Sequence, residues 1–151
     1  MTADEQAAID RRFMSLALAE ARAAAAAGEI PIGAVITLGD RVIGRGHNMT
    51  EALTDVTAHA EMIAITSAAS TAGSKFLNQA TMYVTVEPCT MCAGAIGWAR
   101  LGRLVIGAPE PRIGYSTVVA RSPFHPRTLV TTGVMAEESA TLMKEFFKSR
   151  R

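Results

Sequence analysis

Three residues of the types that hold a transition metal fall in two short motifs: His59, in His59-Ala60-Glu61, and Cys89 with Cys92, in Pro88-Cys89-Thr90-Met91-Cys92. Imidazole nitrogen and thiolate are donors that a tetrahedral zinc ion accepts, and a catalytic zinc site uses three protein ligands so that a fourth position stays open to water. The two cysteines are three apart, which puts both side chains on one helical face, within reach of a single ion. A helix N-terminus there would favour the thiolate form. His59 and Glu61 are two apart, so on a helix they point in well-separated directions and Glu61 is left free to carry protons. The expectation is one zinc ion per chain.

Such an ion lowers the pKa of its water toward ~7, from about 15.7 in bulk. With Glu61 taking the water proton and passing it to a ring nitrogen, hydroxide would attack an amine-bearing carbon and ammonia would leave. Each motif alone also has a plainer reading. Cys-x-x-Cys at a strand-to-helix junction suits a thioredoxin-like redox pair, or half of a structural zinc site. His59 alone could be a hydrogen-bonded core histidine, and Glu61 a solvated first-turn acid. A structural site needs a fourth ligand, whereas His47 and His125 occur singly and no third cysteine exists. Taken together the motifs favour the catalytic reading.

The elements that must position these residues can be read from periodicity. About residues 5–27 carry Ile9, Phe13, Leu16 and Ala17 at helical spacing and stop at Gly28. Residues 32–47 read as two β-branched runs joined across Gly39-Asp40, a type II′ hairpin. A second helix begins after Thr57 as N-cap, with Ala58, Met62, Ile65 and Ala69 as its buried stripe and Gly73 at its end. Residues 81–86 form a strand, Pro88 ends it, and a third helix covers about residues 89–100. Residues 104–106 are a short strand. An irregular segment with Pro109, Pro111, Gly114, Pro123 and Pro126 follows, expected to be a functional or interface loop. Residues 129–132 make a last strand, and Ala136, Ala140, Met143 and Phe147 mark a final amphipathic helix. The alternation points to a layered α/β domain with helices on both faces of one sheet, whose strand order this pattern leaves open.

At 151 residues the chain fits one domain, residues 1–151. Its formal charge of +1 offers no strong field for a polyanion, so any nucleic-acid contact must come from a local patch. Asp4, Glu5, Asp10 and Glu20 interrupt every early apolar stretch, and the alanine run 23–27 is too short to span a bilayer. A cytoplasmic protein without a membrane association is expected. In a reducing compartment two cysteines three apart suit a metal or redox role better than a structural disulfide.

With these residues in place the chain resembles the cytidine-deaminase superfamily, and within it the bacterial tRNA-specific adenosine deaminases, from about Phe13 to the end. The resemblance is carried by Glu29-Ile30-Pro31-Ile32-Gly33-Ala34-Val35, by Asn48, by Thr57-Ala58-His59-Ala60-Glu61, and by Val86-Glu87-Pro88-Cys89-Thr90-Met91-Cys92-Ala93-Gly94-Ala95. The ending Phe146-Phe147-Lys148-Ser149-Arg150-Arg151 is similar to that family's aromatic-basic tail. The resemblance implies a three-layer α/β/α domain with a five-stranded mixed sheet. It also implies a homodimer that converts adenosine to inosine at the wobble position of a tRNA anticodon. It assigns Asn48 and the backbone of Ala60 to holding the flipped base, and Ile30, Pro31 and Val86 to shaping its pocket. Glu110, Arg112, Phe147, Lys148, Arg150 and Arg151 become candidate RNA contacts. One departure stands out: where the family usually has Gly-Ala-Arg-Asp followed by a lysine, this chain reads Gly107-Ala108-Pro109-Glu110-Pro111-Arg112.

Two rival functions fit part of this pattern. A deaminase of a free base or nucleoside, guanine or cytosine, would share the zinc core; Ile32 stands where an aromatic is expected in guanine deaminases. A non-catalytic, zinc-stabilised RNA-binding scaffold would need the three ligands but has no use for Glu61. With aromatics at 5%, base stacking falls to a few candidates: Tyr115, Phe124 and Phe147.

Overall fold

A computed structural model of the chain describes residues 1–150. Five strands form one sheet in the order β2-β1-β3-β4-β5. The hairpin β1 (Gly33–Leu38) and β2 (Arg41–His47) turns at Gly39, whose φ of +62° is open to glycine without strain. β1 also pairs antiparallel with β3 (Thr81–Val86), and β4 (Arg103–Ala108) and β5 (Leu129–Thr131) continue from β3 in parallel. The sheet is therefore mixed, as the resemblance implies.

Both faces of the central strands are covered, so side chains alternate between two separate cores. Ala34, Ile36, Met82, Val84, Leu104 and Ile106 face α2 (Ala60–Ala72) and α3 (Thr90–Ala99). Val35, Tyr83 and Val105 face Phe13, Met14 and Ala17 of α1 (Ala3–Ala26). A short helix α4 (Tyr115–Val118) follows β4, and α5 (Ala136–Lys148) returns to pack against β3 and β4 beside α1.

Several expected boundaries shift. Helix α2 starts after His59, not after Thr57. Thr57 lies in a turn, its N–H and hydroxyl both donating to Asp55 Oδ1 at 2.8 and 2.7 Å. The buried stripe of α2 is Ala60, Ala64 and Ala68, rather than Met62, Ile65 and Ala69. Gly44 and Gly46 of β2 explain the offset: a methyl on Gly44 would sit 2.6 Å from the Ala64 carbonyl oxygen, so the helix backbone lies directly on the strand. Helix α5 turns Ser139 inward, and Ala140 is exposed. α4 interrupts the segment read as irregular, because Gly114 and Pro88 seat its first turn through the 2.9 Å bond from Tyr115 N–H to the Pro88 carbonyl.

Candidate metal centre and pocket

The ends of five elements meet at one edge of the sheet, at the carboxyl end of β3, where open α/β sheets form their crevices. Gly33, opening β1, donates its N–H to Thr85 Oγ1 near the end of β3 at 3.1 Å, which sets Ile30 and Ile32 beside Val86. Asn48 follows β2, and its N–H donates to the Ile32 carbonyl at 3.2 Å. His59 and Cys89 are the N-cap residues of α2 and α3, with extended backbones and no capping bond from either side chain. Caps ordinarily spend their side chains on the helix's free N–H groups. Here both side chains point at each other instead.

His59 Nδ1 lies 3.6 Å from Cys89 Sγ and 3.4 Å from Cys92 Sγ. Two ligand arms of about 2.0–2.1 Å (nitrogen) and about 2.3 Å (sulfur) at a tetrahedral angle separate their atoms by about 3.6 Å. The donors are thus already spaced for zinc. All three ligand atoms lie within 4.8 Å of one another, and among the described residues no other such group is placed to hold a metal. A redox pair has no use for the imidazole between its sulfurs. A four-ligand structural site fails as well: His47 Nδ1 is held by Glu20 at 3.1 Å, and His125 Nδ1 accepts the Arg127 N–H at 3.1 Å.

Electrostatics follow from the crowding. The bond from Cys92 and the nearby His59 hold the Cys89 thiol down, to about 3, while the same Cys92–Cys89 bond and burial push Cys92 up. The hydrogen bond with Cys89 raises His59 above its ordinary value. Three donors that compete for protons in this way are what a dication relieves by taking their lone pairs. Glu61, 3% exposed, lies against Cys92, and its burial raises the carboxyl to about 7. It is a buried acid, not a solvated first-turn residue.

A cavity of about 400 Å³ opens over this group. Of the residues assigned by resemblance, Ile30, Asn48, Ala60, Val86, Glu110, Arg112 and Phe147 line it; so do His59, Glu61 and Cys89, with Cys92 buried behind. Pro31 is buried next to the lining without contributing to it. Lys148 and Arg150 stand outside the cavity, and Arg151 lies outside the described residues. Arg150 caps the Phe146 ring at 4.4 Å. Tyr115 and Phe124 pack edge-to-face on each other at 4.8 Å within the core, so of the three stacking candidates only Phe147 reaches the cavity. Asn48 lines it with a side-chain oxygen that is buried and has no hydrogen-bond partner. A buried acceptor left single in a cavity is placed to receive a donor from a ligand.

The model of the cytidine and deoxycytidylate deaminase zinc-binding region matches residues 7–108, which include every ligand and Glu61. The chain belongs to this family. Zinc is accordingly the ion that the His59, Cys89 and Cys92 group fits. A tRNA-specific adenosine deaminase of Agrobacterium fabrum is 46% identical over 143 residues, covering 92% of this chain and 94% of that one. A structure from a study of A-to-I editing by tRNA:A34 deaminases at the wobble position of transfer RNA superimposes with a TM-score of 0.81 at 45% identity. It covers 87% of this chain and 98% of its own. The guanine deaminase of Bacillus subtilis superimposes less fully, with a TM-score of 0.62 at 35% identity, over 72% of this chain and 66% of that one.

Two buried carboxylates escaped functional notice in the sequence. Glu29, 2% exposed, accepts the N–H groups of Glu51 and Ala52 at 3.1 and 2.8 Å and so anchors the loop after Asn48. Glu87 does the same for the loop after β4. The available signal was an acid directly before Ile30-Pro31 and another directly before Pro88, each in an otherwise apolar run.

Proposed function

We propose that the chain deaminates adenosine to inosine at the wobble position of a tRNA anticodon, and that it works as a single zinc-dependent domain. The observation that carries the chemistry is the buried Glu61 carboxyl beside the three donor atoms, at a cavity lined also by Asn48, whose side-chain oxygen is unpartnered. The substrate rests on the likeness to the A. fabrum tRNA-specific enzyme and to the tRNA:A34 deaminase structure, which match over nearly their whole lengths. The likeness to the Bacillus subtilis guanine deaminase is shorter on both counts, and the guanine deaminase of Nitrosomonas europaea, which covers 90% of this chain, is only 24% identical and so shares the fold alone.

When bound, zinc supplies a Lewis acid and lowers the pKa of its water toward about 7. The residues of the chain do the rest. Glu61, buried beside the donor atoms, takes the proton of the attacking water and returns it to the ring nitrogen of the base, then moves the proton of the newly added hydroxyl to the amino group, which leaves as ammonia as the carbonyl forms. The Asn48 side-chain oxygen accepts a donor of the flipped base, and the Ala60 backbone fixes its orientation. Ile30 and Val86 wall the base and exclude bulk water. Glu110, Arg112 and Phe147, at the cavity rim, meet the neighbouring nucleotides, with Lys148, Arg150 and Arg151 supplying charge outside it.

The enzyme is proposed to be a cytoplasmic homodimer; among the described residues no helix is long and apolar enough to cross a membrane. A second copy is the suited partner for α3, whose sequence holds no charge and whose Trp98 is 85% exposed. Incubating the protein with anticodon stem-loop RNA and sequencing the product for inosine tests the reaction. Retention of adenosine at the wobble position would remove it.

A further inference from the structure

Glu87 stands between the metal-bearing turn and the cavity, 9% exposed, with neither carboxylate oxygen left free. Oε1 accepts the N–H of Glu110 at 3.1 Å. Oε2 accepts the N–H of Ser116 at 2.9 Å and its hydroxyl at 2.6 Å. Burial opposes the charge, but these donors outweigh it and hold the carboxyl below its ordinary range.

One carboxylate therefore ties down both ends of residues 110–116. Between the tied ends lie Arg112 and Ile113, which line the cavity. Gly114 is pressed against the same carboxylate: a methyl there would lie 2.5 Å from Glu87 Cδ. Backbone bonds close the remaining gap, with Gly114 N–H on the Glu110 carbonyl at 2.9 Å and Tyr115 N–H on the Pro88 carbonyl at 2.9 Å. Without Glu87 the segment would keep those two bonds and the one from Arg112 N–H to Glu110 Oε1 at 2.9 Å, but it would lose the three that tie both its ends to one buried carboxylate, while its outer residues 111–113 are exposed.

We propose that Glu87 is a positioning residue for the RNA: it fastens the 110–116 segment as a fixed wall of the cavity, so that Arg112 and Ile113 meet the substrate without first being ordered. This rests on the proposed RNA substrate for its kinetic consequence, though the fastening itself can be read without any substrate. A wall that is ordered in advance spares binding the cost of immobilising it, and that cost falls on affinity more than on the chemical step.

The test uses the full chain with its zinc and the variant Glu87→Gln, whose amide keeps the shape but turns a donor toward the N–H groups that the carboxylate satisfied. Trypsin cleavage at Arg112 reports the segment, and cleavage at exposed Arg121 serves as the internal control. Expected are roughly tenfold faster cleavage at Arg112, from the loss of a charge-assisted hydrogen bond, unchanged cleavage at Arg121 and unchanged zinc content. The KM for anticodon stem-loop RNA should rise by a similar factor, with a much smaller fall in kcat. Ser116→Ala, which removes only the hydroxyl donor, should accelerate cleavage at Arg112 by a lesser factor. Equal cleavage in variant and wild type, acceleration at both arginines together, or a fall in kcat as large as that in kcat/KM would overturn the proposal. A wild-type protein inert toward the RNA would defeat the substrate assignment, while the trypsin comparison would still decide the fastening.

Discussion

At the scale of single residues, metal binding and proton transfer fall to different side chains, so they can be separated by substitution. His59, Cys89 and Cys92 come from two motifs 30 residues apart, and their donor atoms meet at zinc-like separations, while Glu61 stays buried beside them with its carboxyl near 7. Glu61→Gln should keep one zinc per chain while turnover falls roughly 10²–10⁴-fold, the usual loss with a general acid-base group. Cys89→Ser should instead lose the metal, measured by elemental analysis after dialysis. A Glu61→Gln protein with wild-type turnover would remove the residue from the reaction. These four residues were legible in the sequence because ligands and proton carriers are few in kind and their spacing within each motif is short. What the sequence hid at this scale was the work of acids that touch backbone. Glu29 and Glu87 bond to N–H groups 22 and 23 residues away, a pairing that no local pattern announces.

At the scale of elements, the face a helix buries is decided by what lies beneath it. The period of α2 was readable, but its stripe sits on Ala60, Ala64 and Ala68 because the glycines of β2 admit the helix backbone itself. Strand positions in β3 were readable because both its faces are buried and its residues are β-branched or apolar. The pairing order, by contrast, follows from long-range contacts that composition does not encode. One such contact fastens α1 to the sheet: Arg103 donates to both oxygens of Asp10 at 2.7 Å, and Tyr83 and Gln6 donate to Oδ1 at 3.0 Å. Asp10→Asn would leave the Arg103 guanidinium with Thr131 Oγ1 at 3.0 Å and a neutral amide in place of its carboxylate, and chemical denaturation should show a loss of about 1.5–3 kcal/mol. Burial raises the Asp10 carboxyl, yet the bonds from Arg103 and Gln6 win, and it stays below 3.8. A group lowered in the folded state stabilises above its unfolded pKa and loses that contribution as pH falls through the folded value. The gap between wild type and Asp10→Asn should therefore be full at neutral pH and shrink in strong acid. A gap independent of pH would contradict the ion pair.

At the scale of the whole molecule, a net charge of +1 means that affinity for RNA must come from a few placed cations. Replacing Lys148, Arg150 and Arg151 with glutamine should weaken anticodon-loop binding. The salt dependence should flatten by ~0.7 log units per log salt for each phosphate that is no longer neutralised. An unchanged slope would detach the tail from the interface. In the dimer proposed through α3, Trp98→Glu should shift sedimentation toward the monomer, because a carboxylate would be buried in an apolar contact. The expectations for turnover and RNA binding depend on which base enters the cavity. The most direct measurement presents the purified, zinc-loaded protein in parallel with anticodon stem-loop RNA, free adenosine, cytosine and guanine, and follows ammonia release from each. The proposed reaction gives ammonia from the stem-loop, matched by conversion of its wobble adenosine to inosine. Release from guanine or cytosine with none from the RNA would contradict it.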